Sequence, residues 1–319
     1  MEQSKTSFRK RSSKAKRGRL KKDAVELEKL EASPNKVLCL KKANYYVPNS
    51  KDMTYDEKET CVHDISSLKV INTTKGVQLV DPQVSVPVFT LIPREHVLQF
   101  RSPAMFQKIN NVLKYIVNKG KKNNRGSKRA GITKKEVSVG VAASRNSHGY
   151  VYSPMMRDNP LMWSALKKFA RQTEHPLKRF IPENILKGLY KAKDFIGWTT
   201  LEDNSMFSAL AASCNYYSKV HTDEDFFLSV LQVFAAADTY KSHCEVDAPV
   251  VNHFCFPTYG FAVAIRPGDC LLFNPTVAHC QAKKETIFEH TDVYSTSFYL
   301  KSKVVGLNDN RIPLKNNLK

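Results

Sequence analysis

The chain has 319 residues, of which 42% are hydrophobic and 10% aromatic, and its formal net charge at pH 7 is +20. This length favours one large domain with appendages, and the apolar content excludes a chain that is disordered throughout. No apolar run approaches the roughly 18 residues of a membrane span, and no secretory signal opens the sequence. We therefore expect a nuclear or cytoplasmic protein without membrane contact.

Two short segments carry the positive charge. Residues 1–22 contain ten Lys or Arg and one acid, and residues 108–135 contain ten Lys or Arg and no acid. Residues 201–300, in contrast, contain five basic and twelve acidic residues. The basic segments predict that nucleic acid is a partner, bound through appendages rather than through the whole surface. A solubilising tail and a solvated charge run are the alternatives.

The N-terminal part of the chain is predicted to lack a packed core. Residues 1–22 are basic and rich in Ser, with too few apolar side chains to offset the entropy of ordering. The clusters Arg9-Lys10-Arg11 and Lys14-Ala15-Lys16-Arg17 are typical of a nuclear-import signal or a nucleic-acid-binding arm. We assign residues 1–80 to a disordered basic tail and linker, and residues 81–319 to the folded domain.

The first half of the folded domain mixes strands and helices. VSVPVFTLI, at residues 84–92, predicts a strand that Pro87 confines to a sheet edge or an extended arm. A flexible basic loop, residues 119–135, is rich in Gly and Asn. Apolar periodicity predicts the remaining elements, which are a helix at 106–117, a strand at 137–143, and helices at 161–172 and 182–193.

Beyond Thr199 the pattern changes to short β-rich runs separated by polar turns or turns that carry Gly or Pro. The runs are MFSALAASCNYY, FFLSVLQVFAA, GFAVAI, CLLFNP and VYSTSFYL. Several short strands at this spacing predict a sandwich or barrel-like β core packed on the preceding helices, and thus an α+β protein.

The seven cysteines form no CxxC pair, so reduced thiols are expected rather than a disulfide framework. A zinc site is an alternative for one group of residues, although the spacing that zinc sites usually show is missing. The group comprises His243, Cys244, His253 and Cys255.

Three His-x-acid pairs are candidates for a metal site, and about one is expected by chance in this composition. They are His221/Asp223, His243/Glu245 and His290/Asp292. A mononuclear non-haem Fe(II) site takes two histidines and one carboxylate. His290 has no later histidine, and His243 lies in a polar stretch without a strand pattern. His221/Asp223 has a suitable partner in His279, at the end of IRPGDCLLFNPTVAHC, with satisfied polar residues near strand ends as the alternative reading.

The runs NYYSKVHTDEDFFLSVLQ and PTYGFAVAIRPGDCLLFNPTVAH resemble the Fe(II)- and 2-oxoglutarate-dependent dioxygenases over about residues 206–300. The pattern YGxAVxxxPGDxLLFxxxxxH is most similar to the branch that oxidises the 5-methyl group of thymine or methylcytosine, the TET-type enzymes and base J thymine hydroxylases. The resemblance implies an oxygenase-like domain with a double-stranded β-helix (jelly-roll) core at about 199–303. It makes His221, Asp223 and His279 the Fe(II) ligands, with 2-oxoglutarate as co-substrate.

The same resemblance places Asn215 and Tyr217 near the co-substrate, with a hydrogen-bonded strand pair as the alternative. The family normally has an Arg, sometimes a Lys, about ten to sixteen residues after the second histidine, to pair with the far carboxylate of 2-oxoglutarate. This chain has no cation from Glu289 through the run VYSTSFYL.

Three explanations of the missing cation are open. Arg266 could substitute from a neighbouring strand, hydroxyl groups could bind the acid alone, or catalysis could have been lost. Tyr294 and Thr296 share one face of the last predicted strand and are the hydroxyl candidates. Ser297, Tyr299 and Lys301 lie on the other face by period-two alternation.

The sequence thus predicts a dioxygenase that hydroxylates a C–H bond, with the methyl group of a nucleobase in DNA as the candidate substrate. Two alternatives are a dioxygenase-fold protein that has lost catalysis and binds nucleic acid, and a hydroxylase of protein side chains. The acidic half of the chain fits a cationic protein substrate equally well.

Overall fold

A computed structural model of the chain describes residues 37–39, 64–81, 86–94, 97, 103–119, 135–143, 150–153, 160–196, 205–235, 248–283 and 292–301. The predicted basic tail lies outside these residues. So do residues 120–134 of the predicted basic loop, and His243 and Cys244 of the alternative zinc site.

Three amphipathic helices occur among the described residues: α1 (Pro103–Lys119), α2 (Pro160–Leu177) and α3 (Glu183–Ile196). Apolar side chains at helical spacing, such as Ile109, Leu113 and Ile116 of α1, are almost completely buried. The three helices that the sequence predicts are confirmed, with each extended at one or both ends. None of the described helices is long and apolar enough to cross a membrane.

The strands of the described residues form two sheets. In chain order they are β1 (Val37–Cys39), β2 (Lys69–Ile71), β3 (Val77–Val80), β4 (Phe89–Ile92), β5 (Lys135–Ala143), β6 (Tyr150–Tyr152), β7 (Ala209–Cys214), β8 (Ser229–Ala235), β9 (Asn252–Phe256), β10 (Phe261–Ile265), β11 (Cys270–Phe273), β12 (Cys280–Gln281) and β13 (Val293–Tyr299). The larger sheet has the order β1-β3-β4-β11-β8-β13-β7-β5-β6, and the smaller sheet has the order β12-β9-β10-β2.

Period-two alternation assigns the two faces of the larger sheet to different layers. Val230 and Phe234 of β8 join the helices in one apolar cluster, whereas Leu231 and Val233 join the smaller sheet in a second cluster. The molecule is therefore layered as helices, large sheet and small sheet. A sheet-rich core packed on few helices agrees with the predicted α+β class.

The prediction of an edge strand near Pro87 was wrong. Strand β4 lies between β3 and β11, with both neighbours antiparallel to it. Pro87 precedes the strand instead of interrupting it, so its missing N–H removes no hydrogen bond from the ladder. Strands β2 and β3 also pair within the sheets, upstream of residue 81, where we expected the folded domain to begin.

Glu174 links α2 to the segment that enters β7. Its carboxylate is 2% exposed and accepts hydrogen bonds from the Ser205 hydroxyl and, at 3.0 Å, from the Met206 backbone N–H. We expect Glu174→Ala to lower the free energy of unfolding by about 2–4 kcal/mol, because it leaves buried donors without a charged acceptor. Equilibrium denaturation measures this change.

The control is Glu183→Ala, which removes an exposed ion pair to Lys187 on α3. It should change the free energy of unfolding by less than about 1 kcal/mol. Equal losses of unfolding free energy in Glu174→Ala and Glu183→Ala would show that the buried carboxylate of Glu174 stabilises the fold no more than an exposed one does.

Candidate metal centre and its cavity

Two paired segments bring His221 and His279 together. The residues face each other in an isolated antiparallel bridge, and each backbone N–H donates to the other's carbonyl oxygen at 2.9 Å. Directly opposite residues project their side chains to the same side, as do residues two apart on one strand. Asp223 therefore joins the two histidines, and the candidate ligand atoms of the three residues lie within 4.8 Å of one another.

Backbone carbonyls orient both imidazole rings. The Nδ1 atoms of His221 and His279 lie 2.7 Å from the carbonyl oxygens of Lys219 and Val277, respectively. A carbonyl oxygen only accepts, so each Nδ1 carries the proton and donates it. The Nε2 atoms face Oδ2 of Asp223 at 3.7 and 3.5 Å. Two imidazole lone pairs and one carboxylate thus converge, and this donor set suits a divalent transition metal.

Aromatic packing encloses the second histidine. His279 is 3% exposed, and its ring stacks on Phe254 with centroids 5.3 Å apart. The ring of Phe273 packs against it edge to face, with centroids 4.9 Å apart. Burial lowers the pKa of His279, and the neighbouring Asp223 carboxylate offsets part of this shift. The imidazole is therefore neutral at pH 7, as metal binding requires.

The carboxylate of the triad is ionised. Burial opposes the ionisation of Asp223, but the adjoining imidazoles of His221 and His279 outweigh it and hold the pKa of Asp223 well below its usual range. The site consequently combines two oriented imidazole rings with a negative carboxylate.

A cavity of about 490 Å³ adjoins the triad. Its walls come from the inner face of β5, β7 and β13, from the segment that contains His221, and from single residues of β8, β9, β11 and β12. Most of the lining residues are polar by type, and they include Glu136, Tyr216, Gln281 and six serines. The serines are Ser138, Ser213, Ser218, Ser229, Ser295 and Ser297. The volume of the cavity falls within the range of sites that hold small ligands.

The strand register explains why this wall is polar. Ser295 lies opposite Ser213, and Ser213 lies opposite Glu136, so one row of polar side chains crosses three strands. The Oγ atoms of Ser213 and Ser295 are 2.7 Å apart. The inner face of the large sheet therefore changes from apolar at β8 and β11 to polar at β13, β7 and β5.

The five predicted co-substrate residues are not among those that line the cavity. Tyr294 packs in the cluster on the helix side, and Thr296 shares its face of β13. Asn215 adopts a left-handed φ of 52° and binds Asp292 and the Val293 backbone through its amide. Its neighbour Tyr216 lines the cavity, whereas Tyr217 does not.

Arg266, the fifth of these residues, lies in the turn after β10. Its guanidinium donates to the Thr73 carbonyl oxygen at 3.2 Å and to the Asn72 side chain. We expect Arg266→Ala to leave the binding of a 2-oxo acid unchanged within about threefold, because this turn contributes nothing to the cavity wall. Calorimetric titration measures this, and a loss of more than about tenfold would restore Arg266 to the site.

Lys301 lies at the cavity, immediately after β13. It is the one Lys or Arg among the described lining residues, it forms a backbone bridge with Asp225, and its Nζ lies 5.3 Å from the centre of the Tyr299 ring. The sequence pattern had correctly separated Lys301 from the face of Tyr294 and Thr296. Alternation alone did not indicate which of the two faces encloses the cavity.

Comparison with known proteins finds similarity only at the level of structure. No protein-family model and no curated protein matches the sequence. Among solved structures, NgTET1 in complex with 5mC DNA is 10% identical with a TM-score of 0.51, covering 90% of this chain and 91% of that one. This likeness shows that the chain shares the fold of NgTET1, and the sheet-rich core is consistent with the jelly-roll fold that the resemblance implied.

Two further solved structures match with lower TM-scores. A 2OG-Fe(II) oxygenase family oxidoreductase from Burkholderia pseudomallei is 8% identical, with a TM-score of 0.39 and coverage of 83% of this chain and 95% of that one. The viral collagen prolyl hydroxylase of Paramecium Bursaria Chlorella virus-1 is 11% identical, with a TM-score of 0.31 and coverage of 66% and 95%.

Proposed function

We propose that the protein is an Fe(II)- and 2-oxoglutarate-dependent dioxygenase that hydroxylates a C–H bond. The observation that carries this proposal is the convergence of His221, Asp223 and His279 within 4.8 Å beside a polar cavity. The fold alone would not carry it, because one fold hosts many functions. When bound, Fe(II) and 2-oxoglutarate supply the oxidation, in which one oxygen atom of O2 enters succinate, the other enters the C–H bond, and CO2 leaves.

The residues of this chain would hold and shield the metal. The carbonyl oxygens of Lys219 and Val277 fix the imidazole tautomers, and Phe254 and Phe273 exclude water from one side of His279. The cavity leaves room on the other side for a small acid and part of a substrate.

As substrate we propose a nucleobase methyl group in DNA. The two basic segments supply charge for phosphate contacts, and the solved NgTET1 structure contains 5mC DNA. A base in a duplex would have to leave the stack to reach a buried metal, so contacts on the flanking phosphates would hold the DNA during that step.

The test is mass spectrometry of methylated duplex DNA after incubation with the full chain, Fe(II), 2-oxoglutarate and O2. The proposal expects a base that has gained one oxygen atom with the wild-type protein and none with His221→Ala. Succinate formation without an oxidised base would place the substrate elsewhere, for example on a protein side chain. Retained DNA binding without succinate would overturn the dioxygenase proposal.

A nucleic-acid-binding protein that has lost catalysis is the second candidate. It is favoured by the absence of arginine from the described part of the cavity wall, where Lys301 is the one cation and the family normally has an Arg for the co-substrate. Under this alternative, metal binding at the triad would persist without any turnover of 2-oxoglutarate.

A further inference from the structure

Gln281 is a buried residue of the cavity wall. It follows His279 by two residues, shares its face and is 3% exposed. Its backbone pairs with Ser218, whose N–H donates to the Gln281 carbonyl oxygen at 3.0 Å and whose Oγ accepts from the Gln281 N–H at 3.3 Å. Within the described residues, the side-chain Nε2 has no hydrogen-bond partner. Because a buried amide without an acceptor is costly, the position indicates a ligand that brings one.

The surroundings of Gln281 supply neutral donors. The hydroxyls of Ser213 and Ser295 contact each other on the facing strands, and Ser218 and Tyr216 lie on the neighbouring segment. The Nζ of Lys301 lies over the ring of Tyr299, which is four residues beyond Ser295 on β13, or about 13 Å in an extended strand. Of the wall residues that the structure describes, Lys301 is the one Lys or Arg.

The distance from the metal ligands to Gln281 suits a short dicarboxylic acid. Two residues of extended chain separate His279 from Gln281, which corresponds to about 6–7 Å. This span is comparable to the length of a five-carbon 2-oxo acid whose oxo and first carboxylate groups lie at the metal. The far end of such an acid would then reach the Gln281 amide.

We propose that Gln281, supported by the Ser213–Ser295 pair, binds the far end of the 2-oxo acid through neutral hydrogen bonds and not through a cation. The inference rests on the proposed function, whose co-substrate it concerns. A neutral donor site binds a carboxylate and an uncharged amide oxygen with similar geometry, whereas a guanidinium favours the carboxylate. Glu136, two strands from Ser295, further disfavours a second negative charge at this end.

The expected result is therefore weak discrimination between 2-oxoglutarate and its C5 monoamide. Their dissociation constants for the Mn(II)-loaded full chain should agree within about tenfold, because neither the C5 carboxylate nor the C5 amide forms an ion pair with the protein. A preference for 2-oxoglutarate above about a hundredfold would overturn the inference, since it would require a cation at this end.

The variant that tests the residue is Gln281→Leu, which keeps the size and removes the donor. It should lower the affinity for both acids by at least about tenfold, as expected for a lost buried hydrogen bond, while the affinity for Mn(II) stays unchanged. The matched control is Gln78→Leu on β3, whose side chain donates to the Thr90 hydroxyl away from the cavity. Gln78→Leu should leave both affinities unchanged.

A second variant, Gln281→Glu, keeps the side-chain shape and replaces the donor with a negative charge. It should bind 2-oxoglutarate more weakly than Gln281→Leu does, because two carboxylates would then face each other. Unchanged acid binding in both variants, with metal binding intact, would overturn the role of Gln281 alone. Acid binding that does not depend on the metal would overturn the proposed function, and this inference with it.

Discussion

Replacing Asp223 by alanine is expected to abolish metal binding while leaving the fold intact. Its Oδ2 lies 3.7 and 3.5 Å from the two histidine Nε2 atoms, and it contributes the single negative charge of the triad. Removal of a partner that merely orients a ligand already costs about 10–100-fold in metal affinity, so the loss of a direct ligand should exceed a hundredfold. Anaerobic calorimetric titration with Fe(II) measures this effect.

Asp225→Ala is the matched control for Asp223→Ala. Asp225 follows two residues later and also lines the cavity, but it does not belong to the group of converging ligand atoms. Its replacement should change Fe(II) affinity by less than about tenfold, the lower bound for residues that orient a ligand. Equal losses for the two variants would mean that general negative charge, and not a specific triad, attracts the metal.

Gly140→Val is expected to produce the largest loss of stability. Gly140 on β5 has a φ of 129°, and a Cβ at this position would lie 2.5 Å from the Ala209 Cα and 2.6 Å from the Ser208 carbonyl oxygen. Both contacts involve backbone that cannot easily move, so backbone strain and overpacking should together cost roughly 2–6 kcal/mol.

Denaturant titration of Gly140→Val measures this cost. Because β5 also carries Glu136 and Ser138 in the cavity wall, binding of the 2-oxo acid should weaken in parallel with the loss of stability. A loss below about 1 kcal/mol would show that β5 can move away from β7 without penalty.

Much of the fold could be predicted because its elements have strong local patterns. The run CLLF forms β11 between two antiparallel neighbours, and the helical spacing at residues 106–117 forms most of α1. The segment NHFCF was not predicted as a strand, yet all five residues of β9 are buried. A strand buried on both faces lacks the alternation of polar and apolar residues that marks a half-exposed strand.

The candidate ligands could be identified because the His-x-Asp motif places His221 and Asp223 on one short segment. The third ligand, His279, follows a predicted strand. Which face of β13 encloses the cavity could not be identified. Alternation in VYSTSFY shows that Ser295 and Ser297 share a face, but both faces are buried, one under helices and one at the cavity. Hydropathy predicts that the face of β13 with Ser295 and Ser297 is exposed to solvent. The structure shows that this face lines the cavity, because the segment that contains His221 lies across from it.

Gln281 shows the same limit of sequence analysis. Nothing in its residue type marks it as part of a site, since most glutamines are solvated. Its period-two relation to His279 was the available signal. The structure is needed to interpret that signal, because the backbone pairing with Ser218 places Gln281 in the cavity wall.

The central claim is tested most directly by conversion of 2-oxoglutarate to succinate under single-turnover conditions, with Fe(II) and O2 present. We expect succinate from the wild-type chain, none when Fe(II) is omitted, and none from Asp223→Ala. Succinate formation that is equal in wild type and Asp223→Ala would contradict this claim, as would the absence of succinate from a wild-type chain that has bound Fe(II).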